Sequence, residues 1–351
     1  MYRRCTHPNS TEKSAVSLLL LLLLLSVGCS TPAPPPVAGD LVWPPPPATP
    51  RIAFEKSIEQ PSDLGIKRSW WRKVGRFFIG QNRDEVAFSK PTGLCIDELG
   101  SLCVTDTGSR KIYFLDTTHK RYKSWDHIGE IVFSSPVAVA KRGGVFYVAD
   151  SGLGAIIAFN EAGKLLFTIS DRLERPSGVS IVGQTLWVAD AARHRIEIFD
   201  LQGRYVRGFG QRGTEAGLFN FPTHLTQSHN GSSVLYITDA LNFRVQKFDV
   251  AGNPLQVIGS IGDVSGSFSR PKGIATDSEG NLYVVDALFD NIQIFDKTGQ
   301  FLMHWGEHGA EPGCFWLPTG VAIDALDRIW VADSYNRRIQ VFKRVGGHGE
   351  S

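Results

Sequence analysis

Apolar and polar residues alternate along most of the chain after residue 88, which is the pattern of β-strands with a packed face. The segment Ile339-Gln-Val-Phe342 is one example, and a segment of this type begins six residues after an aspartate in each of six places. Five of the preceding strands carry an aromatic residue three positions before that aspartate: Tyr147, Trp187, Tyr236, Tyr283 and Trp330. Turns such as Asp296-Lys-Thr-Gly299 supply the glycine that tight hairpins need. The pattern predicts four-stranded antiparallel meanders.

The meander unit repeats six times at intervals of 40 to 49 residues, a period typical of propeller blades rather than helical solenoids. The first strand of each copy follows a proline: Pro91, Pro136, Pro176, Pro222, Pro271 and Pro318. The second strand ends in an aspartate: Asp106, Asp150, Asp190, Asp239, Asp286 and Asp333. We therefore predict an all-β fold in which residues 88–351 form a six-bladed β-propeller.

The sixth copy lacks a fourth strand, since the chain ends nine residues after Phe342. The segment Pro50-Arg-Ile-Ala-Phe-Glu-Lys-Ser-Ile58 has the pattern of a strand but belongs to no copy. Pairing it beside residues 339–342 would close the ring and protect an edge strand. Residues 51–87 are accordingly predicted to hold a closing strand, followed by a short helix.

That helix is predicted for residues 66–80, where the apolar residues Ile66, Trp70, Trp71, Val74, Phe77 and Phe78 share one face. Arg68, Arg72, Lys73 and Arg76 share the opposite face. A basic amphipathic helix can lie on an anionic membrane. Aromatic stripes also pack onto a protein core, so the sequence leaves both placements open.

The N-terminus has the features of a bacterial lipoprotein leader over residues 1–28. Arg3, Arg4 and Lys13 precede an unbroken leucine run from residue 18 to residue 25, which is too short to span a membrane comfortably. Ser26-Val27-Gly28-Cys29 resembles a lipobox, which predicts lipidation of Cys29 and a membrane partner. Ser30 in place of aspartate favours the outer membrane of a Gram-negative cell envelope. Residues 29–50 are rich in proline and are predicted to form a semi-rigid tether.

Composition narrows the functional classes. The formal net charge is +2, and the leader accounts for it, so no overall field indicates a nucleic-acid partner. Cys95, Cys103 and Cys314 do not form a disulfide scaffold. Cys95 and Cys103 lie on the first two strands of one blade, and the sequence leaves open whether they are bonded.

The repeat resembles the NHL repeat, in which Pro-x-Gly is followed by Tyr/Trp-Val-Ala-Asp and then by Asn-x-Arg-Ile-Gln-Val-Phe. The likeness extends over residues 88–342 and implies a six-bladed propeller. The NHL class includes RNA-binding and protein-binding modules and a peptide-amidating lyase with zinc in its channel. The zinc histidines of that lyase directly follow the strand-one proline. None of those six positions is a histidine here, so we expect no metal and no cofactor.

The channel mouth is the default ligand site of a propeller. In a meander blade the start of strand one and the loop between strands two and three lie on the same face, so the Pro-x-Gly turns and the six aspartates are expected to face outward together around this mouth. We predict that it is lined by the residues that follow the prolines: Thr92, Val137, Ser177, Thr223, Lys272 and Thr319, together with His224. His224 stands where most blades have glycine. The aspartate of each blade is predicted to be structural, because a residue that every blade carries is best explained by a loop that every blade builds.

A partner surface is predicted where the loops differ between blades, at Phe243, Phe289, Asp290 and Tyr335. The combined expectation is a monomeric, lipid-anchored, non-catalytic scaffold for an envelope protein or a small ligand. The alternative is a hydrolase or lyase of unrecognised type with its site in the channel.

Overall fold

The computed structural model describes residues 41–66, 87–229 and 233–345. These residues form five four-stranded antiparallel sheets and one five-stranded sheet, which confirms the predicted all-β, six-bladed propeller. Within them, helix is limited to the 3₁₀ segments Pro61–Leu64 and Ala240–Asn242. The predicted leader, Cys29 and residues 67–80 of the predicted amphipathic helix lie outside the described residues.

The strands are numbered in chain order. The two N-terminal strands are β1 (Val42–Trp43) and β2 (Ile52–Ile58). Blade one contains β3 (Pro91–Ile96), β4 (Leu102–Asp106), β5 (Lys111–Asp116) and β6 (Arg121–Trp125). A hairpin of β7 (His127–Ile128) and β8 (Ile131–Val132) follows. Blade two contains β9 (Pro136–Arg142), β10 (Val145–Asp150), β11 (Ala155–Asn160) and β12 (Leu165–Ile169).

The remaining blades follow the same order. Blade three contains β13 (Pro176–Val182), β14 (Thr185–Asp190), β15 (Arg195–Asp200) and β16 (Tyr205–Phe209). Blade four contains β17 (Pro222–Gln227), β18 (Val234–Asp239), β19 (Arg244–Asp249) and β20 (Pro254–Ile258). Blade five contains β21 (Pro271–Thr276), β22 (Leu282–Asp286), β23 (Asn291–Phe295) and β24 (Phe301–Trp305). Blade six contains β25 (Val321–Ile323), β26 (Arg328–Asp333) and β27 (Arg338–Arg344).

The N-terminal strands complete the sixth blade. Strand β2 pairs antiparallel with β27, with Ile58 opposite Ile339, and the sheet order is β1-β2-β27-β26-β25. Strand β1 covers the outer edge of β2, and the Trp43 ring lies 5.8 Å from that of Phe342. Residues 42 and 43, which lie within the segment 29–50 predicted as a tether, therefore pack on the propeller.

Blade six also contacts blade one through hydrogen bonds. The Ser334 hydroxyl donates to the Pro91 carbonyl at 2.6 Å, and the Thr319 hydroxyl donates to the Thr92 carbonyl at 3.0 Å. These bonds join blade six to the Pro-x-Gly turn at the start of blade one. They complete the ring around the central channel.

The hydrophobic core is divided into clusters between neighbouring blades. In one of them Cys103 and Phe114 of blade one pack against Phe146 and Phe159 of blade two. The rings of Phe146 and Phe159 are stacked with centroids 5.0 Å apart. Burying one such side chain stabilises the fold by about 1.5–3 kcal/mol. The alternating aromatic positions of the repeat thus hold adjacent blades together.

The residue before each third strand has a left-handed backbone conformation. Its φ lies between 49° and 64° at Arg110, Gly154, His194, Phe243, Asp290 and Arg337. Only blade two uses glycine there, although glycine is the residue least strained in this region. The turn geometry is therefore set by the blade and not by the residue that occupies it.

Candidate functional site

The first strands of the blades surround the channel. Each packs against the first strand of the next blade, from β3 through β9, β13, β17, β21 and β25 back to β3. The glycine of the Pro-x-Gly turn allows this approach, since a Cβ on Gly93 would lie 2.5 Å from the Val137 carbonyl oxygen. A Cβ on Gly273 would meet the Thr319 carbonyl in the same way. The Pro-x-Gly motif therefore requires glycine because the first strands of neighbouring blades approach closely at the channel wall.

One end of the channel opens into a pocket of about 560 Å³, here called the mouth pocket. All seven residues predicted to line the mouth contribute to it: Thr92, Val137, Ser177, Thr223, His224, Lys272 and Thr319. Residues from the loops after the second strands, such as Ser151, Ala191 and Leu288, complete its wall. The strand-one turns and these loops therefore share one face, as the meander topology predicted.

The mouth pocket carries positive charge without a compensating acid in its lining. Arg175, Arg270 and Lys272 line it, and none of its lining residues is aspartate or glutamate. Burial lowers the pKa of Lys272 to about 8, and the neighbouring charges of Arg270, Arg175 and Lys90 contribute to this shift. The mouth pocket is thus a partly desolvated cationic site, with apolar walls formed by Phe221, Leu241, Phe243 and Leu288.

His224 is the other titratable group of the mouth pocket. Burial, followed by the charge of Lys272, lowers the pKa of His224 to about 3, so the ring is neutral at pH 7. Its Nδ1 is enclosed and has no hydrogen-bond partner among the described residues, and the same holds for the Thr223 hydroxyl. Blade four therefore buries two polar atoms at the wall of the mouth pocket whose hydrogen-bonding capacity is unused within the described chain.

The repeated aspartates are structural, as predicted. All six side chains are fully buried, and they accept hydrogen bonds from backbone N–H groups of the preceding loop. In blade two, for example, Asp150 accepts from Ser134 and Ser135, each at 2.8 Å. The ring of aspartates was expected to face outward at the mouth; its burial contradicts that placement and removes it as a ligand site.

No metal-binding cluster of three or more His, Cys, Asp or Glu side chains occurs in residues 41–66, 87–229 and 233–345. His224 lies among hydroxyls, a lysine and apolar side chains. The described part of the chain therefore gives no support to a zinc or calcium centre in the channel.

The four residues predicted as a partner surface differ in their exposure and in the pockets that they line. Phe243 lines the mouth pocket, whereas Phe289 lines a separate pocket of about 310 Å³ beside blade five. Tyr335 is 44% exposed, and Lys90 lies over its ring at 4.6 Å. Asp290 is only 8% exposed and bonds to the Leu317 N–H and to His308. Asp290 was wrongly placed on an exposed surface, because the sequence alone does not show which loop side chains turn inward.

Arg175 and Arg270 line the mouth pocket but were not among the residues predicted for it. Both stand immediately before a strand-one proline, and blade one has Lys90 at the same position. The sequence has a basic residue at this position in blades one, three and five. Closure of the ring places the residues of this position around the channel mouth. Comparing the position before the proline across the six copies would have identified both arginines.

The opposite end of the channel contains a second pocket of about 320 Å³. Lys141 is buried there between Asp97 at 2.7 Å and Glu161 at 3.0 Å, so its charge is compensated. Cys95 lies in the same pocket and faces Cys103 across the strand pair, and both thiols are free. This end lacks the uncompensated charge of the mouth pocket.

Comparison with known proteins agrees with this architecture. Residues 315–342 match the NHL repeat. Streptogramin B lyase superposes with a TM-score of 0.56 at 15% identity, covering 74% of this chain and 94% of that one. An auxiliary nutrient binding protein from Bacteroides thetaiotaomicron superposes with a TM-score of 0.58 at 13% identity, covering 73% and 69%. At these identities the likeness concerns the fold alone.

No curated protein sequence matches the chain significantly. No helix within residues 41–66, 87–229 and 233–345 is long and apolar enough to cross a membrane.

Proposed function

We propose that this six-bladed β-propeller, which carries an NHL repeat in its last blade, is a non-catalytic binding module for a small anionic ligand with an apolar part. The observation that supports the proposal most directly is the mouth pocket, where three cationic side chains meet without a carboxylate in the lining. Its volume lies within the range of roughly 300–1,000 Å³ that small-molecule sites occupy.

Lys272 is the cation of the mouth pocket that an anionic ligand would stabilise most. Its depressed pKa means that the protonated amine is held in an unfavourable environment of low solvation and like charge. An anion placed beside Lys272 would compensate for the lost solvation of the amine and for the repulsion from the neighbouring cations. Opposite charges about 4 Å apart attract by about 4 kcal/mol at an effective dielectric constant near 20. We therefore expect a ligand with more negative charge to bind more tightly.

The walls of the mouth pocket define the rest of the ligand. Phe221, Leu241, Phe243 and Leu288 offer apolar contacts, and polar residues such as Ser177 also line the pocket. A compact organic carboxylate or phosphate ester fits this combination better than an inorganic ion. Large polyanions are disfavoured, since the site is a pocket rather than an extended basic surface, and we expect no nucleic-acid partner.

The experiment compares phenyl phosphate and benzoate with phenol and benzyl alcohol by isothermal titration calorimetry. We expect saturable binding of the anions only, and at least ten-fold weaker binding to Lys272→Met, which corresponds to about 1.4 kcal/mol. Lys343→Met is the matched control, because Lys343 is exposed and does not line the mouth pocket. Equal affinity for charged and neutral compounds would refute the proposal.

We further propose that the module is a monomer anchored to the outer membrane through lipidated Cys29, with an envelope protein as a second partner class beside the small ligand. The leader pattern and Ser26-Val27-Gly28-Cys29 support this anchoring. Labelling cells with a radioactive fatty acid tests it: the wild type should carry label in the outer-membrane fraction. Cys29→Ser should carry none, and a labelled Cys29→Ser variant would contradict the assignment.

The alternative function is a channel-site lyase or hydrolase. One observation favours it: neutral His224 and Lys272, two groups with strongly lowered pKa values, line the same pocket, as titratable groups of active sites often do. A virginiamycin B lyase from Staphylococcus aureus with the same fold was solved with quinupristin, and superposes with a TM-score of 0.54 at 12% identity. Incubation of this protein with quinupristin distinguishes the two functions. Recovery of unchanged quinupristin supports a binding module, whereas turnover that Lys272→Met abolishes supports the enzyme.

A further inference from the structure

Three loops of the propeller share one pattern of backbone hydrogen bonds, here called the loop frame. They precede blades four, five and six and contain residues 211–219, 260–268 and 307–315. Phe219, Phe268 and Phe315 each donate a backbone N–H to a carbonyl eight residues earlier, at 2.8 to 2.9 Å. A glutamine of the third strand then binds the loop in every case. Gly217, Gly266 and Gly313 donate to Gln246, Gln293 and Gln340, respectively, at 2.9 to 3.0 Å. The three loops can therefore be compared position by position.

In blades four and six this frame holds an arginine of the same chain. Arg244 donates to the carbonyls of Glu215 at 2.9 Å and Leu218 at 3.0 Å, and its Nε bonds to the buried Asp239. Arg338 makes the equivalent bonds to Glu311, Cys314 and Asp333. An asparagine two residues before each arginine binds a third carbonyl, that of Gly213 or Gly309. The frame is thus a guanidinium-binding arrangement that occurs twice.

Blade five has the frame without the arginine. Asn291 stands at the position of Arg244 and Arg338, and Phe289 replaces the asparagine. The space beside Asn291 is a pocket of about 310 Å³ that Asp263, Val264, Phe289 and Glu307 also line; we call it the blade-five niche. The Oδ1 of Asn291 is buried and has no hydrogen-bond partner among the described residues. The Gly262 and Val264 carbonyls receive no side-chain donor from the described part of the chain, unlike their counterparts in blades four and six.

The charge of the blade-five niche suits a cation. Asp263 is exposed and stands where the other loops have Thr214 and Ala310, so blade five adds a carboxylate where it lacks the arginine. Glu307 supplies a second exposed carboxylate. The imidazole of His308 also lines the niche, but its Nδ1 is bonded to Asp290 at 2.8 Å. The rim is therefore acidic around a set of hydrogen-bond acceptors.

We propose that the blade-five niche binds an arginine side chain presented by a partner protein. In the equivalent loops of blades four and six these carbonyls bind a planar guanidinium, and a compact ammonium group lacks that fork of donors. A protein is the source that fits the surroundings, because Ile261 and Val264 on the same loop are 69% and 67% exposed. Such apolar side chains beside a charged pocket offer contacts to residues that flank the arginine.

The test uses two short peptides that differ in one residue, Gly-Val-Arg-Val-Gly and Gly-Val-Lys-Val-Gly, with capped ends. Titration into the mature protein is followed by NMR at the Asn291 side-chain amide and the Gly266 N–H. We expect the arginine peptide to bind at least ten-fold more tightly than the lysine peptide. Asp263→Asn should weaken that binding and its dependence on salt. Equal binding of the two peptides, or shifts located elsewhere, would overturn the proposal.

A second variant tests the niche without any ligand. Asn291→Arg should reproduce the arrangement of blades four and six, raise Tm by roughly 2–4 °C and abolish peptide binding. Asn291→Leu fills similar space without donors and is the matched control. If Asn291→Leu raises Tm as much as Asn291→Arg, the niche is a packing defect and not a guanidinium site. The mouth pocket is unchanged in both variants, so failure here leaves the proposed function standing.

Discussion

The carboxylate of Asp290 in blade five accepts a hydrogen bond of 2.6 Å from the backbone N–H of Leu317 in blade six. Leu317 has a left-handed backbone with φ of 47°, and this bond helps to hold it there. His194 has the equivalent role between blades three and four, where its Nδ1 accepts the Phe221 N–H at 3.1 Å. The residue before a third strand can therefore fasten one blade to the next.

Asp290→Ala should destabilise the propeller by about 1–3 kcal/mol, because it leaves the Leu317 N–H without a partner in a partly buried site. Asp290→Asn keeps an acceptor oxygen and should cost much less. Urea unfolding followed by tryptophan fluorescence measures the difference. Equal losses in the two variants would mean that the charge of Asp290, and not its hydrogen bond to Leu317, stabilises the junction.

Lys272→Met should make the protein more stable at neutral pH while it removes anion binding. The folded-state pKa of Lys272 is about 8, below its usual value of 10.5, so the folded state holds fewer protons between these values. Stability from this group therefore rises with pH from 8 to 10.5 and is lowest below 8. The wild type should gain stability over that window relative to the variant in thermal melts. A constant difference across the window would show that Lys272 titrates normally.

His224→Gln should reduce the loss of folding stability that occurs as the pH is lowered. The pKa of His224 falls from 6.5 to about 3 on folding, so the unfolded chain takes up a proton first as the pH is lowered. The contribution of His224 to the free energy of unfolding is therefore fully present above pH 6.5 and is lost as the pH falls towards 3. Urea midpoints at pH 7, 5 and 4 test the point. The variant should lose less stability than the wild type between pH 7 and pH 4, and parallel losses would contradict the assignment.

Arg110 and Gly154 occupy equivalent left-handed positions and form a natural pair for mutation. Arg110→Gly should stabilise the protein by up to about 1 kcal/mol, because an exposed arginine with φ of 56° is strained. Gly154→Ala should destabilise it by about 1–2 kcal/mol, since a Cβ there is strained and lies 3.0 Å from the Glu174 carbonyl oxygen. Thermal denaturation measures both changes. Shifts of the same sign would show that φ does not control the energy of this turn.

The features that repeat in every blade were easier to predict than those that differ between blades. Pro91 and Asp106 recur in all six copies, so their spacing alone predicted the propeller and the residues that line its mouth. Arg175 and Arg270 join the mouth pocket only because the ring brings alternate blades together. The role of Asp290 depends on Leu317, 27 residues away in another blade, and no local pattern reports a contact of that kind.

The pairing of β2 with β27 makes closure of the ring depend on two segments that are far apart in the chain. Strand β2 precedes all six blades, but it has no neighbour in its own sheet other than β1 until residues 338–344 are in place. A chain that lacks residues 338–344 leaves one edge of β2 unpaired, and such edges promote aggregation. Loss of either segment of the β2–β27 pair therefore exposes a strand edge and opens the ring.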